Sequence, residues 1–191
     1  NFSTGTSPRG SLSLANGNKL LGLTSNGGNG NSFGSIFSFD LSSNTCTPVF
    51  NFYSTGLYGA NPYGNNLLVT SSGMLYGMTT YGGTNNGGVI FIIDPSNYSY
   101  GKIFDFYEPY GKQPYGSLIE ATNGNLYGMA SWGGTHFNGV IFKFDTSNFA
   151  YTAVYHFNNS MGNTDGRLPY GSLVQGANGK LYGLTSFDGA N

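Results

Sequence analysis

The sequence predicts an all-β chain of propeller blades, each a four-stranded antiparallel meander, repeating about every 54 residues. Three whole blades and two partial ones are expected. Three observations predict this. Short motifs recur in one order at near-constant spacing. The dominant residues are those of strands and tight turns, with 32 Gly, 15 Tyr and 15 Phe among 191 residues and only 8% charged. Hairpin turn signals separate the apolar runs.

The motifs come first because internal repeats decide the fold. Pro-Tyr-Gly stands at Pro62-Tyr63-Gly64, Pro114-Tyr115-Gly116 and Pro169-Tyr170-Gly171, with Pro8-Arg9-Gly10 in the equivalent place. The prolines are 54, 52 and 55 residues apart. Next come Leu75-Tyr76-Gly77, Leu126-Tyr127-Gly128 and Leu181-Tyr182-Gly183, with Leu20-Leu21-Gly22 first. A third landmark is the run from Ile36 to Asp40, from Ile90 to Asp94 and from Ile141 to Asp145. The fourth is Val49 to Phe52, Ile103 to Phe106 and Val154 to Phe157.

In the third copy the elements read in order. A short apolar strand over 117–121 meets a turn containing Asn123-Gly124, a pair suited to the positive φ angles of a tight hairpin. The second strand covers 126–132 and a longer loop 133–138. The third strand covers 139–144, Asp145 opens a turn by accepting backbone amides ahead of it, and the fourth strand covers 151–157. Such a sheet cannot bury its two faces alone, whereas radial repetition covers both and protects the edges. Hairpin turns argue against a solenoid of parallel coils. Separate domains of this size without disulfides would have marginal cores. The expected boundaries are a tail of a preceding blade over 1–7, blades over 8–53, 62–107 and 114–158, and a half blade over 169–191. This offset phase leads us to expect completion by a longer parent chain or by strand addition from another chain.

Composition narrows the function classes. The net charge is −1 and the 7 basic residues are scattered, which excludes a phosphate-tracking groove and hence a nucleic-acid partner. No apolar run reaches membrane-spanning length, so no membrane insertion is expected. The single Cys46 has no disulfide partner and no metal-ligand spacing. Low charge with abundant Gly, Asn, Ser and Thr suits a secreted or cell-surface protein. Asn-x-Ser patterns start at Asn1, Asn97 and Asn158, as expected by chance in so Asn- and Ser-rich a chain.

Most recurring residues read as structural. Asp40, Asp94 and Asp145 cap turns. Gly64, Gly116 and Gly171, like Gly77, Gly128 and Gly183, stand where backbone or a bulge leaves no room for a side chain. Tyr76, Tyr127 and Tyr182 read as packing between blades, each hydroxyl bonded to a neighbour; Tyr63, Tyr115 and Tyr170 fit the same role. Asp105, Glu108, Glu120, Asp165 and Asp188 occur singly, and no pair has recognisable glycosidase geometry. His136 and His156 lack a third ligand, so neither a metal nor a cofactor is expected.

One position varies inside a fixed frame. Asn26, Tyr81, Trp132 and Phe187 each precede the Gly-rich loop after the second strand. A core position would keep its size, so these residues are expected on a rim facing solvent or a ligand, with His136 and Asn138 beside Trp132. Aromatics displayed there can stack on sugar rings. The expected function is therefore non-catalytic binding of a glycan or surface protein, or adhesion. The alternatives are a filament or sheath subunit assembled through open blade edges, and a polysaccharide-active hydrolase or lyase.

These motifs resemble the bacterial GloVer-type tandem repeat, most fully over 114–145 and again over 169–183. The first copy departs from the pattern at Arg9 and Leu21. The resemblance implies an extracellular propeller array held at the bacterial surface by one of several anchors, with no biochemical role attached.

Overall fold

The computed structural model describes residues 4–15, 17–28, 33–53, 57–158 and 165–189. The Asn-x-Ser patterns at Asn1 and Asn158 fall wholly or partly outside the described residues, as does the start of the expected tail over 1–7. Among the described residues there are seventeen strands and no α-helix.

The meanders expected from the hairpin signals are present. The first sheet holds β1 (Thr6–Pro8), β2 (Ser13–Leu14), β3 (Lys19–Asn26), β4 (Ser35–Asp40) and β5 (Thr45–Asn51). The second runs β6 (Leu68–Val69), β7 (Leu75–Thr79), β8 (Val89–Ile93) and β9 (Tyr100–Asp105). The third runs β10 (Ile119–Glu120), β11 (Leu126–Ala130), β12 (Val140–Asp145) and β13 (Ala150–His156). Two short antiparallel pairs follow: β14 (Asp165–Arg167) with β17 (Phe187–Gly189), and β15 (Val174–Gln175) with β16 (Leu181–Tyr182).

Within each full sheet a glycine faces a phenylalanine across the two central strands: Gly22 opposite Phe37, Gly77 opposite Phe91, Gly128 opposite Phe142. The phenyl ring folds over its glycine. A Cβ on Gly77 would stand 2.3 Å from the Phe91 ring, and on Gly22 or Gly128 2.5 Å from its own phenylalanine. A leucine from the inner strand (Leu12, Leu67 or Leu118) closes over the same notch. This contact explains the glycine of the Leu-Tyr-Gly motif. Beside it the outermost strand carries one extra residue, Val49, Ile103 or Val154, where the register slips ahead of the phenylalanine. Such bulges strengthen local twist.

The sheets bury their faces against one another. Leu21, Leu23, Ile36 and Phe52 of the first pack on Leu67, Leu75, Val89, Phe91 and Ile93 of the second. Tyr76, Met78, Ile90 and Phe106 of the second pack on Leu118, Leu126, Val140, Phe142 and Phe144 of the third. Aromatic stacks join the outer strands: Phe50 lies 3.9 Å from Tyr100 and Phe104 4.1 Å from Tyr151, both pairs nearly parallel. The Tyr100 and Tyr151 hydroxyls donate to the carbonyls of Tyr58 and Tyr110. A fully buried side chain of this kind contributes about 1.5–3 kcal/mol. These are blades of a β-propeller, each burying a face against its neighbour.

At the two ends of the array, positions that are buried inside it are exposed. Leu12 is 49% exposed where Leu67 and Leu118 are buried. Leu184 is 81% exposed where Met78 and Met129 are buried, and Tyr182 is half exposed where Tyr76 is buried. Tyr127 and Tyr182 accept from Asn123 and Asn178 at 3.0 and 2.9 Å. Their hydroxyls are thus held by their own turns rather than by a neighbouring blade.

Asp40, Asp94 and Asp145 each accept two or more hydrogen bonds in the turn after the third strand of their blade. Asp40 takes the amides of Ser43 and Ser42, while Asp94 and Asp145 take the hydroxyl and amide of Ser96 and Ser147. Those bonds hold all three carboxyls below the ordinary aspartate value.

Two outcomes are expected. Gly77→Ala forces a methyl into the Phe91 ring and should lower stability by about 1–3 kcal/mol; an unchanged urea midpoint would contradict the notch. The folded chain takes up protons on the turn aspartates later than the unfolded chain does. Their stabilisation is therefore complete above the ordinary aspartate value of about 3.9 and is lost as pH falls through the depressed native values. The urea midpoint should drop on acidification below about pH 4, and a midpoint that holds or rises there would refute the capping role.

Candidate functional site

The innermost strand of every blade is interrupted by the Pro-x-Gly segment. In the first blade β1 and β2 both pair with β3, one on each side of the break. Elsewhere the outer half of the broken strand is a single bridge, Ala60 with Tyr81 and Lys112 with Trp132, or the pair β14 and β17. Proline has no N–H to donate, so the ladder goes no further: Pro8 closes β1 opposite Thr24, and Pro62, Pro114 and Pro169 lie outside the strands. The residue before it takes the left-handed conformation in all four copies: Ser7 (φ 58), Asn61 (φ 49), Gln113 (φ 57) and Leu168 (φ 54). For a side-chain-bearing residue this costs about 1–2 kcal/mol.

Bonds to the surrounding structure hold that strained residue. The amides of Asn61, Gln113 and Leu168 donate to the carbonyls of Phe33, Gly87 and Asn138 in the preceding blade, at 2.7, 2.7 and 3.0 Å. The carbonyls of Ser7 and Gln113 accept from the Ser25 and Ser131 hydroxyls at 3.0 and 2.7 Å. Just past the break, each blade's amide donates to a side chain of the next. Ser11 reaches Asn66 Oδ1 at 2.5 Å, Asn66 reaches Ser117 Oγ at 2.8 Å and Ser117 reaches Ser172 Oγ at 2.8 Å.

The break throws the residue between Pro and Gly toward the axis, where the four copies meet. The rings of Tyr63 and Tyr115 stand edge to face at 5.8 Å, and those of Tyr115 and Tyr170 at 5.0 Å. The Arg9 guanidinium lies 4.2 Å above the Tyr63 ring. Together with Tyr81, Ser172 and glycines 64, 116 and 171, the three tyrosines line an open cup of about 640 Å³. Gly116 is required by backbone, since a Cβ there would stand 1.9 Å from the Gly171 carbonyl oxygen. Gly171 itself has open space around it.

Tyr81 and Tyr115 are joined hydroxyl to hydroxyl at 3.1 Å. Burial, that bond and the neighbouring tyrosines push the Tyr115 phenol well up, so it stays protonated as a donor at any physiological pH. No carboxylate lines the cup. The tyrosine faces are apolar, and the hydroxyls both donate and accept.

The rim residues expected from the sequence divide here. Asn26, Tyr81, Trp132 and Phe187 all sit where the second strand bridges the segment before the proline, at the same end of the blades as the cup. Of the four only Tyr81 lines the cup. Asn26 lies 3.5 Å from Asn61 Nδ2, Trp132 is 42% exposed, and Phe187 carries Arg167 at 5.5 Å over its ring. His136 is exposed in its loop, and Asn138 uses its carbonyl to hold Leu168.

The single acids serve local structure. Asp105 accepts from the Thr84 amide at 2.8 Å and pairs with Lys102 at 2.6 Å. Glu108 pairs with Lys112 at 2.6 Å, Glu120 takes the amide and hydroxyl of Ser71 in the adjacent blade, and Asp188 pairs with Arg167. Asp165 accepts from the Tyr155 hydroxyl. His156 Nδ1 accepts from the Thr135 amide at 3.1 Å, the place Asp105 holds for Thr84. Among the described residues no three His, Cys, Asp or Glu side chains converge as a metal site.

The sequence offers Tyr63, Tyr115 and Tyr170 as packing between blades, and their rings do meet across blades, but it gives no sign of the cup they share. The signal that could have found it is Arg9, because a position that takes arginine in one copy is open to solvent.

A family model described as the Gloeobacter/Verrucomicrobia repeat matches residues 1–191. No curated protein matches the sequence. Among solved structures, TolB from Acinetobacter baumannii is similar at 18% identity and a TM-score of 0.55, over 91% of this chain and 36% of that one. A protein of unknown function from Dyadobacter fermentans is similar at 13% identity and TM-score 0.48, over 79% and 54%. The extracellular domain of BT4673 from B. thetaiotaomicron is similar at 13% identity and TM-score 0.45, over 96% and 27%. This chain thus spans about a third of the TolB chain, and the likeness to TolB is one of fold.

Proposed function

The chain belongs to the Gloeobacter/Verrucomicrobia repeat family, and we propose that this member binds carbohydrate in the tyrosine cup at the axial end of its blades, outside the cell. The observation that carries the reading is the lining: four tyrosines over a glycine floor, with no carboxylate. Sugar rings offer C–H faces to aromatic rings and hydroxyls to phenols, and a cup of this volume is of ordinary ligand size. Stacked bases would be the other partner for such rings, but nucleic-acid grooves need clustered cations, which this chain lacks. With no acid–base pair at the cup, the reading is binding without turnover. The sparse charge and the polar, aromatic composition support an extracellular setting.

Isothermal titration with the best binder from a glycan array tests the reading. Tyr115→Ala should weaken binding at least tenfold, about 1.4 kcal/mol, while Trp132→Ala should change it little. Loss with Trp132→Ala alone would move the site to the rim, and no binding to any glycan would end the proposal. Tyr170→Ala, at a half-exposed residue, serves if Tyr115→Ala fails to fold.

A further inference from the structure

The residue between Pro and Gly is not the same in every blade. Three copies carry Tyr63, Tyr115 and Tyr170, which line the cup, and the fourth carries Arg9 beside it. Arginine there is not a packing substitute. It is exposed, and its guanidinium is held over the Tyr63 ring at 4.2 Å. Stacking engages the flat face of a guanidinium and leaves its N–H edge free to form paired hydrogen bonds to a carboxylate.

The charge is also uncommitted. The ion pairs among the described residues are Lys102 with Asp105, Lys112 with Glu108 and Arg167 with Asp188. Arg9 belongs to none of them, and no acid lines the cup it adjoins. The chain has two arginines, and the other is occupied by Asp188. The cup therefore offers three apolar, hydroxyl-bearing rings in series, with one open cation beside it on the Tyr63 ring.

We propose that the cup selects acidic carbohydrate, a uronate-bearing glycan whose sugar rings stack on Tyr63, Tyr115 and Tyr170 while one carboxylate pairs with Arg9. The inference rests on the carbohydrate reading and adds the ligand's charge to it. A carboxylate brought to Arg9 meets no competing acid in the lining, whereas a neutral sugar leaves the guanidinium to water. An exposed pair of this kind is screened by salt, so the preference is an ionic-strength-dependent one.

The test is titration of the chain with an oligogalacturonate hexamer and with the same hexamer after reduction of its carboxyl groups. The native chain should prefer the uronate about fivefold to tenfold in low salt, on the order of 1 kcal/mol for an exposed charge pair, and the ratio should shrink as salt is raised. Arg9→Gln should bring the two affinities together, and Arg9→Lys should keep part of the preference. If both hexamers bind and the ratio is absent, or survives in Arg9→Gln, the role of Arg9 is overturned while carbohydrate binding stands. If neither hexamer binds and the glycan array is also blank, the binding reading fails and this inference falls with it.

Discussion

A phenylalanine ring laid across a glycine on the adjacent strand is the contact on which each blade depends. Phe37 on Gly22, Phe91 on Gly77 and Phe142 on Gly128 bring a large apolar surface flat against the sheet, where an ordinary side chain would hold it off. Phe91 and Phe142 then meet Phe52 and Phe106 of the preceding blade. The fold is thus a series of mutually dependent faces. Each sheet contributes one notched face and one face of alternating Leu, Met, Ile and Tyr, and neither is satisfied except by its counterpart on a neighbour.

That dependence also positions the candidate site. Once the blades stack, their inner strands converge, and backbone must lie on backbone at the axis. The Pro-x-Gly break meets this need: glycine permits the close approach, proline ends the ladder, and the left-handed residue before it turns the chain. The strain at Asn61, Gln113 and Leu168 is offset by amide bonds to the preceding blade, so neighbouring blades hold one another's turns. The tyrosines project into the cup because the same turn that breaks the strand directs them away from the sheet.

The repeat, its four-strand unit and the meander order were legible in the sequence because they rest on local signals: spacing, turn chemistry and apolar alternation. The splitting of the inner strand was not, since it follows from how neighbouring blades crowd the axis. For the same reason the sequence offers Tyr63, Tyr115 and Tyr170 as packing between blades but hides the cup they share, because they lie about fifty residues apart in the chain and only the stacking of blades brings them together. The rim was half legible. Asn26, Tyr81, Trp132 and Phe187, the positions of varying size, share one end of the blades, but of the four only Tyr81 reaches the cup, through its hydroxyl to Tyr115. Arg9 stood in the sequence as a departure from the repeat, and its meaning depends on Tyr63 beneath it.

On the proposed reading the repeat builds a ligand site from residues that no single blade contains. A crystal structure of the chain with a bound oligosaccharide tests it most directly. The sugar rings should sit on Tyr63, Tyr115 and Tyr170 across adjacent blades. Sugar bound instead along the loop of Trp132 and His136, within one blade, would contradict it.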